Sequence, residues 1–315
     1  MPTDAMTTTH YVAPLAETPL VAVDRVDESA KTRSTWTDAW ESLRGRWMFW
    51  VSAVLIVLIL LVAVVPVLFT HTSPDLGCDL SHSNGDPMAG HPLGFTRQGC
   101  DVYARVIYGT RASLTVGLLA TVIFALLGVI IGALAGYYGG WLDAVVSRIG
   151  DIFFSVPSVL GAIVLMSVLP FRNAVTVAVV LAIFSWPQAA RIMRGAVVLA
   201  KNSDYVLSAK ALGVTRFRIL LRHVVPNSIA PVIVLATVSL GSFIVAEATL
   251  SFLGIGLPPA VMSWGNDISQ AQSSIRTAPM SLFYPALALS VTVLAFLMLG
   301  DVVRDALDPK ARASR

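Results

Sequence analysis

The sequence is poor in charge. Asp, Glu, Lys and Arg make up 13% of its 315 residues and hydrophobic residues 56%, whereas soluble domains run nearer a quarter charged. A soluble globular domain is excluded, and a membrane protein is implied. Lysine is scarce. None of Lys31, Lys201, Lys210 and Lys310 sits in a GxxxxGK[ST] phosphate-cradling loop, so the chain cannot hydrolyse ATP by that chemistry. The centres of the apolar runs lack paired ionisable residues, which argues against a stand-alone secondary transporter or channel. Histidines and carboxylates are scattered outside those runs with no nucleophile-base spacing, which argues against a membrane enzyme. The net charge of +3 would suggest nucleic acid in a soluble chain, but here the basic residues cluster beside apolar runs. Nucleic acid is discounted as a partner.

What is present is a series of apolar runs. Six are long enough to cross about 30 Å of hydrocarbon: 48–69, 112–136, 152–170, 174–190, 224–246 and 282–300. The expected fold class is therefore all-α, with six transmembrane helices. The first run is too long and too far into the chain for a cleaved signal peptide. Ahead of it, residues 1–46 read as a tail, structureless over 1–34. Trp36, Trp40, Leu43 and Trp47 then recur at helical spacing, the pattern of a helix lying in the membrane interface or of the first span extending out of lipid. Runs three and four are parted only by Phe171, Arg172 and Asn173, which predicts a tight hairpin with Arg172 at its tip. Pro157 and Pro187 are candidate kinks, although a first-turn proline fits Pro157 better.

An even number of spans puts both termini on one side, and Lys and Arg decide which. Only Arg97, Arg105, Arg111, Arg172 and Arg276 fall on the loops of one side; the remaining 17 of 22 fall on the other. Both termini are expected in the cytoplasm, with 305–315 a second cytoplasmic tail. Loop 70–111 is then extracytoplasmic, and it holds Cys78 and Cys100, whose oxidising surroundings favour a disulfide. His71, His82 and His91 share that loop, but with the cysteines they match no compact metal-ligand spacing. Arg148 and Asp151 form an i, i+3 pair before the third span. Glu247 is the one acidic residue bordering the fifth run, a functional candidate or a residue snorkelling to the interface.

Between spans four and five lies a basic island, Lys201 to Pro231. Asn202 or Ser203 can cap a short helix from Asp204, Gly213 stands where a left-handed residue ends helices, and Thr215 can cap a second. Phe217, Leu220, Leu221 and Val224 fall on one helical stripe opposite Arg218 and Arg222. The stripe is too narrow for a core, which favours a docking surface for another protein over a merely solvated loop.

The island resembles the cytoplasmic loop of ABC-importer permeases, whose pattern is Glu-Ala-Ala, three residues, Gly, nine residues, Ile-x-Leu-Pro. Here the matching positions are Leu207-Ser208-Ala209, Gly213 and His223-Val224-Val225-Pro226. Leu207 stands where the family has Glu and Ser208 where it has Ala. Further resemblance is to the dipeptide, oligopeptide and nickel permeases. It lies in His91-Pro92-Leu93-Gly94 with Gly99-x-Asp101-Val102, in Tyr108 to Leu114, in Gly136 to Asp143, in Ala246 to Pro259 with Ser263-Trp264-Gly265, and in Gly300 to Pro309. Cys100 replaces the family's Arg.

That resemblance implies a type I importer permease with a core over 112–304 and a coupling loop over 201–223. Asp204, Leu207, Ser208, Ala209, Lys210, Gly213, Arg216 and Pro226 are then expected to meet an ATPase. Glu247, Pro258, Pro259 and Trp264 are expected to face an extracytoplasmic binding protein. The implied complex holds this chain, a homologous permease, two ABC ATPases carrying ATP and magnesium, and the binding protein, in the inner or plasma membrane of a prokaryote. This chain itself is expected to bind no cofactor and to catalyse nothing. Di- or oligopeptides are the expected substrate, with nickel or another small solute as the alternative.

Overall fold

The computed structural model describes residues 35–307; the tail expected over 1–34 and the chain after Leu307 lie outside them. Among the described residues the chain is built of helices, with no strand beyond two isolated bridges. In order these are α1 (Thr35–Arg44), α2 (Trp47–Val64), α3 (Val102–Tyr138), α4 (Gly140–Ser155), α5 (Ser158–Val168), α6 (Ala174–Ala200), α7 (Asp204–Ala211), α8 (Arg216–Ile219), α9 (Val225–Ser228), α10 (Ala230–Phe252), α11 (Trp264–Ala271) and α12 (Met280–Leu307). Five of them, α2, α3, α6, α10 and α12, are long and apolar enough to span alone, and α4 with α5 forms a further, bent pair.

Helix ends depart from the apolar runs where capping chemistry outweighs hydropathy. α3 begins ten residues before the run at 112, because Asp101 Oδ1 accepts the Tyr103 N–H at 2.9 Å and fixes the first turn. Gly139, at φ +66°, ends it. α6 is capped by Asn173, whose Oδ1 accepts the Thr176 N–H at 2.9 Å, and it continues past Ala190 to carry Arg191 and Arg194 out of the apolar run. The third run is not one helix. Pro157 has no N–H to offer the preceding turn, and α4 and α5 meet there at 86°. Pro187, by contrast, is absorbed within α6, buried. The fifth run divides at Ile229, leaving Pro226 in α9 and Pro231 in the first turn of α10. Near the N-terminus, α1 ends at Arg44, so Trp47 opens α2 and does not continue the interfacial stripe.

The core is organised on α3 against α6. Gly128, Gly132 and Gly136 form a four-residue-spaced stripe on α3. A Cβ at Gly128 would stand 2.2 Å from the Ala189 Cβ, and one at Gly132 would stand 2.4 Å from the Ala190 carbonyl oxygen. Only glycine lets the two backbones approach so closely, and in lipid such packing replaces the hydrophobic effect as the force between helices. Around this contact Phe124, Met166, Val177 and Met193 are fully buried. Val54, Val57 and Val64 of α2, each more than 60% exposed, face outward as lipid-facing residues do.

The bundle has two distinct ends. At one, Arg46 Nη1 lies 2.5 Å from Asp305 Oδ2, joining the start of α2 to the end of α12, and Lys201 Nζ donates to the Gly136 carbonyl at 2.7 Å. The other end holds the disulfide loop, with Tyr103 Oη donating to Phe69 O at 3.2 Å, and the turn before α11. There Arg172, expected at a hairpin tip, donates to the Gly254 carbonyl at 3.0 Å.

Candidate functional site

The island folds as two short helical segments meeting at a glycine. α7 runs to Ala211, Gly213 takes φ +74°, and α8 follows. Ser203 and Thr215 occupy the capping positions, yet neither side chain makes a capping hydrogen bond. After α8 the chain widens into a single π turn over Leu220–Val224. That turn splits the expected stripe. Leu220 and Val224 point inward with Ile219, buried, while Phe217 and Leu221 stay exposed. A π turn adds a residue per repeat, so positions that would share one face of an α-helix are rotated apart.

The island therefore has an inner row and an outer row. Val206, Ala209, Ile219, Leu220 and Val224 are buried in the same core cluster as the α3–α6 contact, so the inner stripe does contribute to a core, contrary to the expectation. Ala209, expected to touch an ATPase, is turned into the chain's own packing. Asp204, Leu207, Ser208, Lys210, Gly213, Arg216 and Pro226 are exposed as a docking role requires. Sequence reasoning missed the apolar members of the outer row. Tyr205 and Leu212 join Leu207, Phe217 and Leu221 there, with Leu212 83% exposed.

Behind the island, α4 is clasped to α6. Arg194 makes a two-pronged hydrogen bond to Asp143, its Nη2 2.6 Å from Oδ2. Arg191 Nη2 reaches Asp151 Oδ1 at 3.2 Å while its guanidinium lies 4.3 Å above the Phe154 ring. The expected pair of Arg148 and Asp151 is looser, at 3.7 Å and well exposed. A cavity of about 260 Å³ lies between these helices, lined among others by Ser147, Phe154, Trp186, Pro187, Arg191 and Arg194.

At the opposite end Cys78 and Cys100 are bonded, 22 positions apart. The Asp79 N–H donates to Gly99 O at 3.3 Å beside the bond, and the Ser81 N–H holds the Asp79 carboxyl below the usual carboxylate range. His91 Nδ1 lies 3.2 Å from Asp101 Oδ2, and His82 and His91 pack against Phe95 from ring distances of 5.0 and 4.7 Å. Among the described residues no group of three or more His, Cys, Asp or Glu side chains could hold a metal ion.

Two residues expected to face a binding protein do not reach the surface. Glu247 and Trp264 are 0% and 1% exposed. Ser251 Oγ donates to Glu247 Oε1 at 2.8 Å, and the Ser113 and Ser263 hydroxyls stand beside the same carboxyl. Trp264 gives its backbone N–H to Ser113 Oγ and its indole N–H to the Val106 carbonyl, at 3.3 and 3.0 Å. These side chains tie α3, α10 and α11 together. Pro259 is exposed and Pro258 half-buried.

A further tie at this end had no counterpart in the sequence reading. Arg105 of α3 donates from Nε and Nη2 to Asp267 Oδ1 of α11, at 2.8 and 2.5 Å. Burial pushes the Asp267 carboxyl upward, and the Arg105 guanidinium opposes it.

Residues 128–313, more than half of the chain, match the family model of the binding-protein-dependent transport system inner membrane component. Residues 34–84 match the N-terminal transmembrane domain of oligopeptide transport permease C. Similar curated proteins include the glutathione transport system permease protein GsiD of Escherichia coli O6:K15:H31, 36% identical over 300 residues that cover 95% of this chain and 97% of that protein. The protein of the same name from Shigella sonnei is 36% identical over 93% of this chain and 95% of its own length. That from Pectobacterium atrosepticum is 38% identical over 75% and 78%.

Proposed function

The chain belongs to the family of binding-protein-dependent transport inner membrane components, and from that premise we propose that it couples ATP hydrolysis on partner ATPases to the import of a short peptide. Its place as a multi-pass permease subunit of an ABC importer follows from the family. The finer reading rests on one observation: the island's outer apolar row is exposed while its inner row is packed into the spanning core. Movement imposed on Leu207, Leu212, Phe217 or Leu221 by a docked ATPase reaches α3 and α6 through Val206, Ala209 and Leu220. Gly213 is the pivot between the two segments. ATP and magnesium belong to the partner chains.

In this reading the island and both described chain ends face the cytoplasm, in keeping with the 17 of 22 Lys and Arg residues on that side. The disulfide loop and α11 face outward, where Pro258, Pro259 and the exposed parts of the loop receive a binding protein. A second, homologous permease and two ATPases complete the assembly. Relatives named as glutathione transport permeases support a peptide-like solute. Uptake of a labelled tripeptide by cells with and without the chain tests this, with glutathione and nickel as competitors. ATP-dependent uptake lost with the chain and blocked by glutathione or peptides supports the reading. Unchanged peptide uptake, or competition by nickel alone, contradicts it.

A further inference from the structure

The elbow between α4 and α5 leaves Val156 and Pro157 out of helix within the spanning layer. Such backbone is tolerated at membrane depth only where it is buried in protein or lines a water-filled passage. The cavity of about 260 Å³ adjoins it: Phe154, one position before α4 ends at Ser155, lines that cavity together with Val146, Ser147 and Gly150 of the same helix. The opposite wall is α6 from Trp186 to Arg194. These residues lie 12 to 20 positions after Ala174, about 18–30 Å along the axis at 1.5 Å per residue. In hydrocarbon about 30 Å thick the cavity therefore runs from just past mid-depth to the island end.

Positive charge is in excess around it. Asp151 is shared by Arg191 at 3.2 Å and Arg148 at 3.7 Å, and Asp143 is taken by Arg194, so three guanidiniums meet two carboxylates. The two lining arginines differ in what they have left to offer. Arg194 commits both Nε and Nη2 to Asp143. Arg191 directs Nη2 to Asp151 while its guanidinium rests 4.3 Å above the Phe154 ring. That contact fixes the group and leaves donors among its five N–H bonds for a two-pronged grip on a second carboxylate. The Arg191 and Asp151 side chains are 62% and 53% exposed, and an ion pair so exposed contributes little to stability. Trp186, buried and edge-on to Phe153 at 5.9 Å, gives the cavity a firm apolar wall.

A carboxylate passing through the membrane needs a countercharge on its way, because an ionised group taken out of water without a partner is strongly disfavoured. At about 260 Å³ the cavity falls below the range of about 300–1,000 Å³ for sites that enclose a drug-sized ligand, so it takes one end of a short peptide and not the whole. We propose that Arg191 receives the C-terminal carboxylate of the transported peptide in this cavity, on the island side of the elbow, with Trp186 beside the peptide's last residue. This rests on the proposed import of peptides and names a side chain of this protein that the solute touches. Nickel, a cation, would be repelled by the same group.

Uptake of labelled trialanine by cells carrying the importer tests the site, over external concentrations that reach saturation. Arg191→Gln should lower the maximal rate several-fold and leave half-saturation unchanged, since capture by the binding protein outside is untouched. Arg191→Lys, which keeps the charge, should recover part of the rate. Asp151→Asn removes the same clasp but keeps the guanidinium, and should transport near the wild-type rate. Binding is read directly from a trifluoromethyl label on Ser147→Cys in the full chain in lipid nanodiscs, Cys78 and Cys100 being the only native cysteines and bonded to each other. Its fluorine resonance should shift saturably with trialanine, but neither with the C-terminal amide of trialanine nor in the Arg191→Gln background. Wild-type transport by Arg191→Gln, equal impairment by Asp151→Asn, or equal shifts with peptide and amide would refute the site and leave the import reading standing. If wild-type cells take up no peptide, both fall.

Discussion

Arg105 and Asp267, 162 positions apart, meet through two hydrogen bonds to a single carboxylate oxygen, locking the first turns of α3 to α11 at the disulfide end. Both side chains are close to fully buried. Removing one partner of a buried pair leaves the other uncompensated, at a cost of about 3–5 kcal/mol, whereas replacing both with apolar groups is often neutral. Asp267→Leu alone should lower the thermal midpoint of the detergent-solubilised protein markedly. Arg105→Met with Asp267→Leu should recover most of it. Equal loss in the single and double variants would show that the pair does not hold these helices.

The Cys78–Cys100 bond closes a 22-residue separation, worth about 3 kcal/mol on a chain-entropy estimate. Alkylation under denaturing, non-reducing conditions should label neither cysteine, and both should react after reduction. Cys78→Ser should make the loop sensitive to protease without dissolving the bundle. Two free thiols in the unreduced protein would contradict the assignment.

Packing between α3 and α6 gives a sharper contrast. Gly132→Ala puts a Cβ into the Ala190 backbone, while Gly195→Ala has nothing within 4 Å. Overpacking of this kind typically costs about 1–3 kcal/mol. The Gly132 variant should melt lower and express poorly, with the Gly195 variant unchanged; indistinguishable melting curves would refute the close approach.

At Gly213 the surroundings are open but φ is +74°. Valine there meets backbone strain of about 1–2 kcal/mol and re-aims α8 relative to α7. Gly213→Val should leave the complex assembled and its transport impaired. Full transport would remove the pivot from the account.

Much of this architecture is legible in residue pattern. Apolar run length locates five spans and the region of the broken one, and the island's two segments follow from Gly213 and the polar residues beside it. The elbow was less legible, because hydropathy does not distinguish a continuous helix through Pro157 from a bent pair. Pro187 shows the ambiguity: it is the same residue type, and it lies within an unbroken helix. The Gly128, Gly132 and Gly136 stripe carried a readable four-residue spacing that went unused. Arg105–Asp267 and Arg194–Asp143 carried none, since ionic partners far apart in sequence announce themselves only once helices are placed. Ala209 and Glu247 were misread for a shared reason. Motif position says that a residue matters, while burial decides whether it meets a partner or holds its own chain.

That distinction gives the most direct test of coupling through the island. Leu212→Asp with Phe217→Asp alters two exposed outer-row side chains, whereas Ala209→Arg forces a charge into the core. Each variant is purified from membranes, its thermal midpoint measured, and its yield of copurifying ABC ATPase quantified. The account predicts that the double aspartate variant keeps its midpoint and loses the ATPase, while Ala209→Arg loses its folded yield. A double aspartate variant that retains the ATPase at normal yield and transports at the normal rate would contradict it.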